Sequence, residues 1–313
     1  MEEQKTTRYT VLKLRLHPTL EQAALIEKTF GCCRYLWNRM LADVREFYAA
    51  TDLQYIPTPA HYKKEAPFLR EVDSQALCAA HQSLRRAYLD YFRDPADFRR
   101  PKFRRKKSGR DSFTTPCRQL PSGPTVYLTD EGVRLPKLGV VRAVFHRRPL
   151  HGWSLRSAAV SKTRSGKYFI ALTFSYEAKV PQRPAPTAEN TLGLLTPPGL
   201  PPGTEQYREK LVRMQKKLSR MQRGSRNYEK QLRKLRLLHE HAANRRRDFI
   251  HKESRRIANA WEAVCVGAAA PGSGLFRECL RYKLEQQGKR LLLAHGPART
   301  AEELRDLGLA QAA

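Results

Sequence analysis

Apolar positions along this chain keep one period for a stretch and then change it, and the changes mark its parts. Arg8–Leu16 alternates apolar and charged residues, the pattern of a half-buried strand. After His17-Pro18, Thr19 with Gln22 three residues on has the form of a capping box, so a helix should start there. Leu20, Ala23, Ala24, Phe30, Tyr35, Leu36 and Trp37 would supply its apolar face. Residues 57–73, with Pro57, Pro59 and Pro67, read as loop. A second helix is expected over Ser74–Phe92, with Ser74 as a possible cap and Leu77, Leu84, Ala87, Leu89, Tyr91 and Phe92 in its apolar positions.

From Asp111 the period shortens to two. Strands are expected at Thr125–Leu128, Gly132–Leu135, Val140–Phe145, Leu155–Lys162 and Lys167–Glu177, the last two joined by the hairpin signal Thr163–Gly166. With the N-terminal strand they could close a small β-barrel from residues 1–18 and 111–180, interrupted by a helical domain over 19–110. Residues 181–190 are proline-containing and read as a linker. A second lobe over 191–313 starts with the strand Thr191–Leu195 and a Pro/Gly loop. Two basic helices follow, about 206–222 and 227–260, as a hairpin over 206–260. Tyr207, Leu211, Met214, Leu218 and Met221 form its seam, Gly224-Ser225 its break, and Leu232, Leu235 and Leu238 the facing stripe. A strand at Ala263–Val266, a helix at Gly274–Gln287 and a strand at Arg290–Leu293 would complete a small parallel sheet. The fold class is α+β with several lobes.

Charge turns this outline toward a partner. The 313 residues carry 59 Lys and Arg against 30 Asp and Glu, a net charge of +29, and the polyanion that answers such an excess is nucleic acid. No apolar run approaches the ~20 residues of a membrane-spanning helix, and no export signal opens the chain, so no membrane partner and a cytoplasmic, nucleoid-associated location are expected. Cys32, Cys33, Cys78, Cys117, Cys265 and Cys279 form no C-x-x-C pair, which points to reduced thiols, mostly in the core. His239 and His241 face different ways on a helix and make no ligand pair. No cofactor or metal site is implied, and nothing fixes an oligomeric state.

Several motifs then occur in one order. Phe30–Asn38 (FGCCRYLWN) is followed by Glu71-Val72-Asp73 with Tyr88–Phe92, by Pro101–Lys107 (PKFRRKK), by Leu135–Gly139 (LPKLG), by Gly166–Phe169, and by Gly224–Asn227 with Asn244–Lys252 (NRRRDFIHK). In this order over about 270 residues they resemble the TnpB family, the RNA-guided DNA nucleases of insertion-sequence transposons. The resemblance implies a barrel (wedge) and helical recognition lobe, then an RNase H-like (RuvC) lobe with an inserted basic helical hairpin.

A nuclease of that kind needs three carboxylates around two divalent metals. The family's first Asp ends a strand, in G-[IL]-D; here Gly193-Leu194-Leu195 puts Leu195 there. Its Glu follows a later strand; here Gly267 holds the place. Its last Asp belongs to a motif expected beyond the end of this chain, and the zinc-ribbon cysteines would read Leu304 and Leu307. Pro/Gly-rich Thr196–Thr204 stands where the family's second and third strands should follow. Asp130, Asp248 and Asp306 are poor substitutes; Asp248, beside Arg245–Arg247, suits a structural ion pair. The chain is therefore expected to be a degenerate, truncated RuvC-like protein without zinc ribbon and without enzymatic cleavage.

The expected function is RNA-guided DNA binding that represses transcription by occupying a promoter, as in the family's nuclease-dead repressors. Guide RNA with a structured scaffold and double-stranded DNA with a short flanking motif would be the partners. Contacts are expected from Arg34, from Arg99, Arg100, Lys102, Phe103, Arg104, Arg105, Lys106 and Lys107, where phenylalanines interrupt the charge, and from Lys216, Lys217, Arg220, Arg223, Arg226, Arg233, Lys234, Arg236, Arg245, Arg246 and Arg247 on the hairpin. Tyr55, Ser74, Gln75 and Cys78 are candidates for reading the flanking motif. Trp37, Trp153 and Trp261 read as core. An RNA-binding accessory, or an inert transposon remnant that sequesters guide RNA, is the alternative.

Overall fold

The computed structural model describes residues 5–51, 55–106, 111–179, 191–195, 199–267 and 274–294. The expected linker, Lys107, Leu304, Asp306 and Leu307 lie outside them. The chain divides into a first unit, Thr7–Glu177, and a second that takes in Lys5 and Thr6 together with the residues from Ala178 on.

In the first unit, β1 (Lys5–His17) turns Leu12, Leu14 and Leu16 inward and Tyr9 and Val11 outward, the alternation its sequence carries. The capping box forms in both directions. Thr19 N donates to Gln22 Oε1 (3.1 Å) and Gln22 N to Thr19 Oγ1 (3.2 Å), which starts α1 (Leu20–Thr51). Gln22 Nε2 also donates to the carbonyls of Leu138 and Val140, at 3.1 and 2.9 Å, and so ties the helix start to the LPKLG turn. The buried stripe of α1 runs through Ile26, Phe30, Cys33, Leu36, Trp37, Met40, Leu41 and Val44. Leu20 is 91 % exposed, and Tyr35 lies off the stripe with its ring edge-on to Phe68.

Residues 57–73 are more ordered than their prolines suggest. Pro59 opens a short helix, α2 (Pro59–Glu65), at the position where a missing N–H costs nothing, and Pro67 opens a 3₁₀ turn in the same way. The cap of α3 (Ser74–Arg93) is Asp73, not Ser74: one carboxylate oxygen accepts from Gln75 N (3.0 Å) and the other from the buried Thr115 hydroxyl (2.6 Å). The shorter carboxylate arm serves both the helix end and a neighbouring strand. Leu77, Ala80, Leu84 and Tyr88 form the buried face, whereas Leu89 and Phe92 project outward.

β2 (Asp111–Pro116), β3 (Gln119–Leu120), β4 (Gly123–Pro124), β5 (Tyr127–Leu128), β6 (Gly132–Leu135), β7 (Gly139–Val144), β8 (Ser154–Lys162) and β9 (Tyr168–Lys179) follow. Together with β1, six of them form one seven-stranded sheet in the order β2-β8-β9-β1-β7-β6-β5, with β3 and β4 paired separately. The ends of this ladder, β2 and β5, are joined through the β3–β4 pair, with Thr125 N donating to the Arg118 carbonyl (2.9 Å) between them. The inner face, with Val133, Val141, Ala158, Val160, Ile170, Leu172 and Phe174, joins the buried sides of α1 and α3 in one core. Trp153 packs at its rim against Phe174 and Tyr176.

One polar clamp links helix to sheet. Glu27 on α1 accepts from Lys162 Nζ on β8 (2.6 Å) and from the Tyr168 hydroxyl on β9 (2.8 Å). Burial raises the Glu27 pKa, but these two hydrogen bonds together with the Lys162 and Lys106 charges outweigh it and leave the pKa below its ordinary 4.5. A depressed carboxylate contributes stability above its unfolded-state pKa and loses it as pH falls through the folded value. Chemical denaturation from pH 6 down to pH 3 should therefore show an acid-dependent loss in the wild type that is smaller in Glu27→Gln. Equal slopes in the two proteins would remove the clamp from the account.

In the second unit, α4 (Thr204–Ser219) and α5 (Arg226–Ala260) form the expected hairpin. Gly224 takes a positive φ of 83° in the turn, and the Ser225 side chain accepts from Tyr228 N to cap α5. Tyr207, Leu211, Met214, Leu218 and Met221 are half-buried, opposite Gln231, Leu235 and Leu238. β10 (Thr191–Leu195), β11 (Ala263–Gly267) and β12 (Arg290–Ala294) form a parallel sheet in that order, with α6 (Gly274–Gln286) crossing between the last two. Ile250, Ile257, Val264, Val266, Phe276, Leu280 and Leu284 form the core, with Trp261 partly buried against it. Cys265 and Cys279 are buried here, and Cys32 and Cys33 in the first unit. No helix among the described residues is long and apolar enough to cross a membrane.

Candidate nucleic-acid interface

The basic segment from Phe98 to Lys106 has almost no secondary structure of its own, yet α1 holds its backbone at four points. Arg45 Nη2 donates to the Pro101 carbonyl (3.0 Å), and Trp37 Nε1 donates to the Lys102 carbonyl (3.1 Å). The Asn38 amide closes a two-way pair with Arg104, accepting from its N–H (2.8 Å) and donating to its carbonyl (2.9 Å). Trp37, Asn38 and Arg45 lie on neighbouring faces of α1, so a continuous helix fixes a segment without regular structure of its own. Much of the entropy of ordering that segment is thereby met by the fold before any ligand binds.

Two guanidinium groups are taken up in this packing. Arg104 stacks on Trp37 with its Cζ 3.6 Å from the ring centroid, and loss of water on that face lowers its pKa. Arg34 pairs with Asp111 at 2.9 Å, tying α1 to β2, with both side chains about one-fifth exposed. These two expected contact residues are therefore structural groups first. Arg99, Arg100, Lys102, Arg105 and Lys106 are exposed, and none has a carboxylate within ion-pair distance among the described residues. Phe98 and Phe103 are also exposed, each with an arginine over its ring: Arg93 over Phe98 at 5.7 Å and Arg45 over Phe103 at 4.8 Å. Five free cations beside two oriented rings provide for phosphate and for base faces respectively.

Trp37 was legible as core, and at 6 % exposure it is. Its indole N–H and ring as supports for the basic segment were not legible, because the residues that meet are separated by 65 positions.

The flanking-motif candidates fall at one end of α3. Ser74 is exposed, Cys78 half-buried, and His81, one turn on, lies 3.4 Å from the Ile56 carbonyl beside Tyr55. Tyr55 is 57 % exposed, with its ring 5.8 Å from Phe47. Gln75 differs from expectation in one respect: its Oε1 is buried and unpartnered among the described residues, so that oxygen does not face a groove.

On the hairpin, Lys216, Lys217, Arg220, Arg223, Arg226, Arg233, Lys234 and Arg236 are all exposed and off the seam, as are Arg246 and Arg247. Arg245 is engaged: it donates to the Pro202 carbonyl (2.8 Å) and lies over Tyr207 at 4.5 Å, bracing the start of α4. Asp248 pairs with Lys252 one turn on (2.8 Å), not with the arginines that precede it. Asp130 pairs with Arg148 at 3.0 Å.

The remaining feature is an edge of the parallel sheet. Leu195 stands in register with Val266, and Gly267 with Ala294, so positions 195 and 267 come at the same end of adjacent strands. In parallel α/β sheets this carboxyl end is where ligand groups gather. Neither residue type has a side-chain oxygen, so neither fits a divalent cation there. No group of three or more His, Cys, Asp or Glu able to hold a metal occurs among the described residues.

Comparison with known proteins adds an independent line. Residues 8–52 match a family model described as a helix-turn-helix domain of the OrfB/IS605 group, and residues 201–268 match one described as a probable transposase of the same group. Over the first match this chain folds as β1 and the single continuous helix α1. InsQ of Escherichia coli (strain K12), by its name a candidate RNA-guided DNA endonuclease, is 30 % identical over 276 residues, 83 % of this chain and 66 % of the relative. A similarly named protein of Streptomyces pristinaespiralis is 29 % identical over 272 residues, 81 % of this chain and 65 % of its own length. The chain thus spans just under two thirds of the length of these relatives.

Proposed function

This chain belongs to the TnpB family, and from that premise we propose that it is an RNA-guided DNA-binding protein that does not cut its target and represses transcription by occupying a promoter. The observation that carries the proposal is the pair Leu195 and Gly267 at one end of adjacent parallel strands. Two-metal hydrolysis of a phosphodiester needs carboxylates to place both cations, one activating water and one steadying the leaving oxygen. These two positions supply none, so no cleavage step is assigned to them. The run from β10 to α4 contributes no further strand to the sheet among the described residues, which supports reading the second unit as a reduced RNase H-like lobe.

Binding has support of its own. The basic segment is anchored and its free cations point outward, and ten of the expected contact residues on the hairpin are exposed cations clear of its apolar seam. In the proposed complex, guide RNA pairs with one DNA strand. The protein holds the A-form heteroduplex by its backbone, and residues near Tyr55 and the start of α3 meet the flanking duplex. Occupancy alone would then block polymerase. The finer architecture, a wedge-like sheet with an inserted helical recognition domain, belongs to the same proposal.

The test is the RNA that co-purifies from cells carrying the native locus. One dominant species is expected, with a structured part and an end matching a promoter. A broad sample of cellular RNA would overturn the guided reading and favour an RNA-binding accessory or remnant.

A further inference from the structure

A cavity of about 470 Å³ opens beside the basic segment, between α1 and the start of β2. It falls in the usual size range of small-ligand sites, about 300–1,000 Å³. Phe103 lines one side, with Arg45 over its ring at 4.8 Å and the residue still 47 % exposed. Arg105 lies at the cavity with no carboxylate partner among the described residues. The other side is polar, made of the Arg34–Asp111 ion pair and Ser112. Phe30, 3 % exposed, forms part of the apolar lining.

Each feature answers one part of a nucleotide. The Phe103 ring, steadied by Arg45, offers a platform for a base face. Arg105 supplies a cation for a phosphate. Arg34, Asp111 and Ser112 together present donors and an acceptor, which any base edge can use, so the site tolerates base identity. The α1 anchors hold Phe103 in place through hydrogen bonds to both of its neighbours, Lys102 and Arg104, and Arg105 through Arg104 on one side. A nucleotide within a helix has both faces covered and could not enter.

We propose that this cavity takes a single unstacked nucleotide of the bound nucleic acid, its base on Phe103 and its phosphate on Arg105. The inference rests on the nucleic-acid-binding reading above and adds a specific seat, whose occupant comes either from the RNA or from a DNA strand.

The test is ultraviolet crosslinking of the complete protein with its co-purified RNA and matched DNA, followed by mass spectrometry and sequencing of the adduct site. The expected result is an adduct on the Phe103 peptide at one nucleotide position; its sugar, ribose or deoxyribose, identifies the source. Phe103→Leu should abolish the adduct and weaken binding about tenfold, as loss of one stacked base does, with an unchanged unfolding midpoint because the residue is half exposed. If the wild type binds its matched target but the Phe103 peptide carries no adduct, or adducts spread over many positions, the seat is wrong and guided binding stands. If the wild type retains no nucleic acid at all, both are wrong.

Discussion

Replacing Arg99, Arg100, Lys102, Arg105 and Lys106 together by glutamate should weaken binding to guide-matched DNA at least about a hundredfold near 0.15 M salt. It should also reduce the slope of log K against log salt by roughly one for each phosphate the protein no longer neutralises. All five side chains are exposed and lack ion pairs among the described residues, so the change removes attraction for the ligand; the Lys106 charge also bears on the Glu27 clamp, whose direct partners Lys162 and Tyr168 are untouched. Arg34 and Arg104 are left out deliberately, since the Asp111 pair and the Trp37 stack would confound the result with folding. The effect should be uniform across flanking motifs, because groups that hold phosphates position the duplex and carry no sequence information. Titrations at several salt concentrations, against targets with different flanks, measure both quantities. A changed flanking preference would mean that readout belongs to this segment instead of the start of α3.

Trp37→Ala should cost about 3–5 kcal/mol of stability in the first unit, the usual range for truncating a buried aromatic. Trp37 is almost fully buried in the core shared by α1 and the sheet. The variant also gives up the hydrogen bond to the Lys102 carbonyl and the surface on which Arg104 rests. Trp37→Phe separates these roles, keeping much of the apolar volume while removing the N–H. It should be milder in denaturant unfolding and still loosen the basic segment, seen as faster amide exchange between residues 101 and 106 than in the wild type. Equal exchange in both proteins would show that Asn38 and Arg45 suffice as anchors.

These two results concern residues whose roles were legible to different depths. The Thr19/Gln22 box, the hairpin at Gly166 and the seam of the basic hairpin could be read because each is local: a cap, a turn and a helical period. The small parallel sheet was legible too, since its strands are short apolar runs separated by helical patterns. β2 was not, because Asp111–Pro116 shows little apolar alternation and ends in proline, which an edge strand tolerates. α2 was hidden by prolines that open helical turns as readily as they interrupt them. In the candidate site the charge run could be seen, but which cations are free could not. Arg34, Arg104 and Arg245 look like their neighbours in sequence and differ only in meeting Asp111, Trp37, and Pro202 with Tyr207. The position of Leu195 near Gly267 likewise depends on strand register, although the missing oxygens are plain from the letters.

The most direct test of guided binding without cleavage uses the protein with its own RNA, a labelled duplex matching that RNA beside its flanking motif, and Mg²⁺ or Mn²⁺. The account predicts a footprint over the matched sequence that needs the RNA, is absent on a mismatched duplex, and leaves both strands intact after prolonged incubation. RNA-dependent cutting of either strand, abolished by chelation, would contradict it and would require metal ligands other than those at positions 195 and 267.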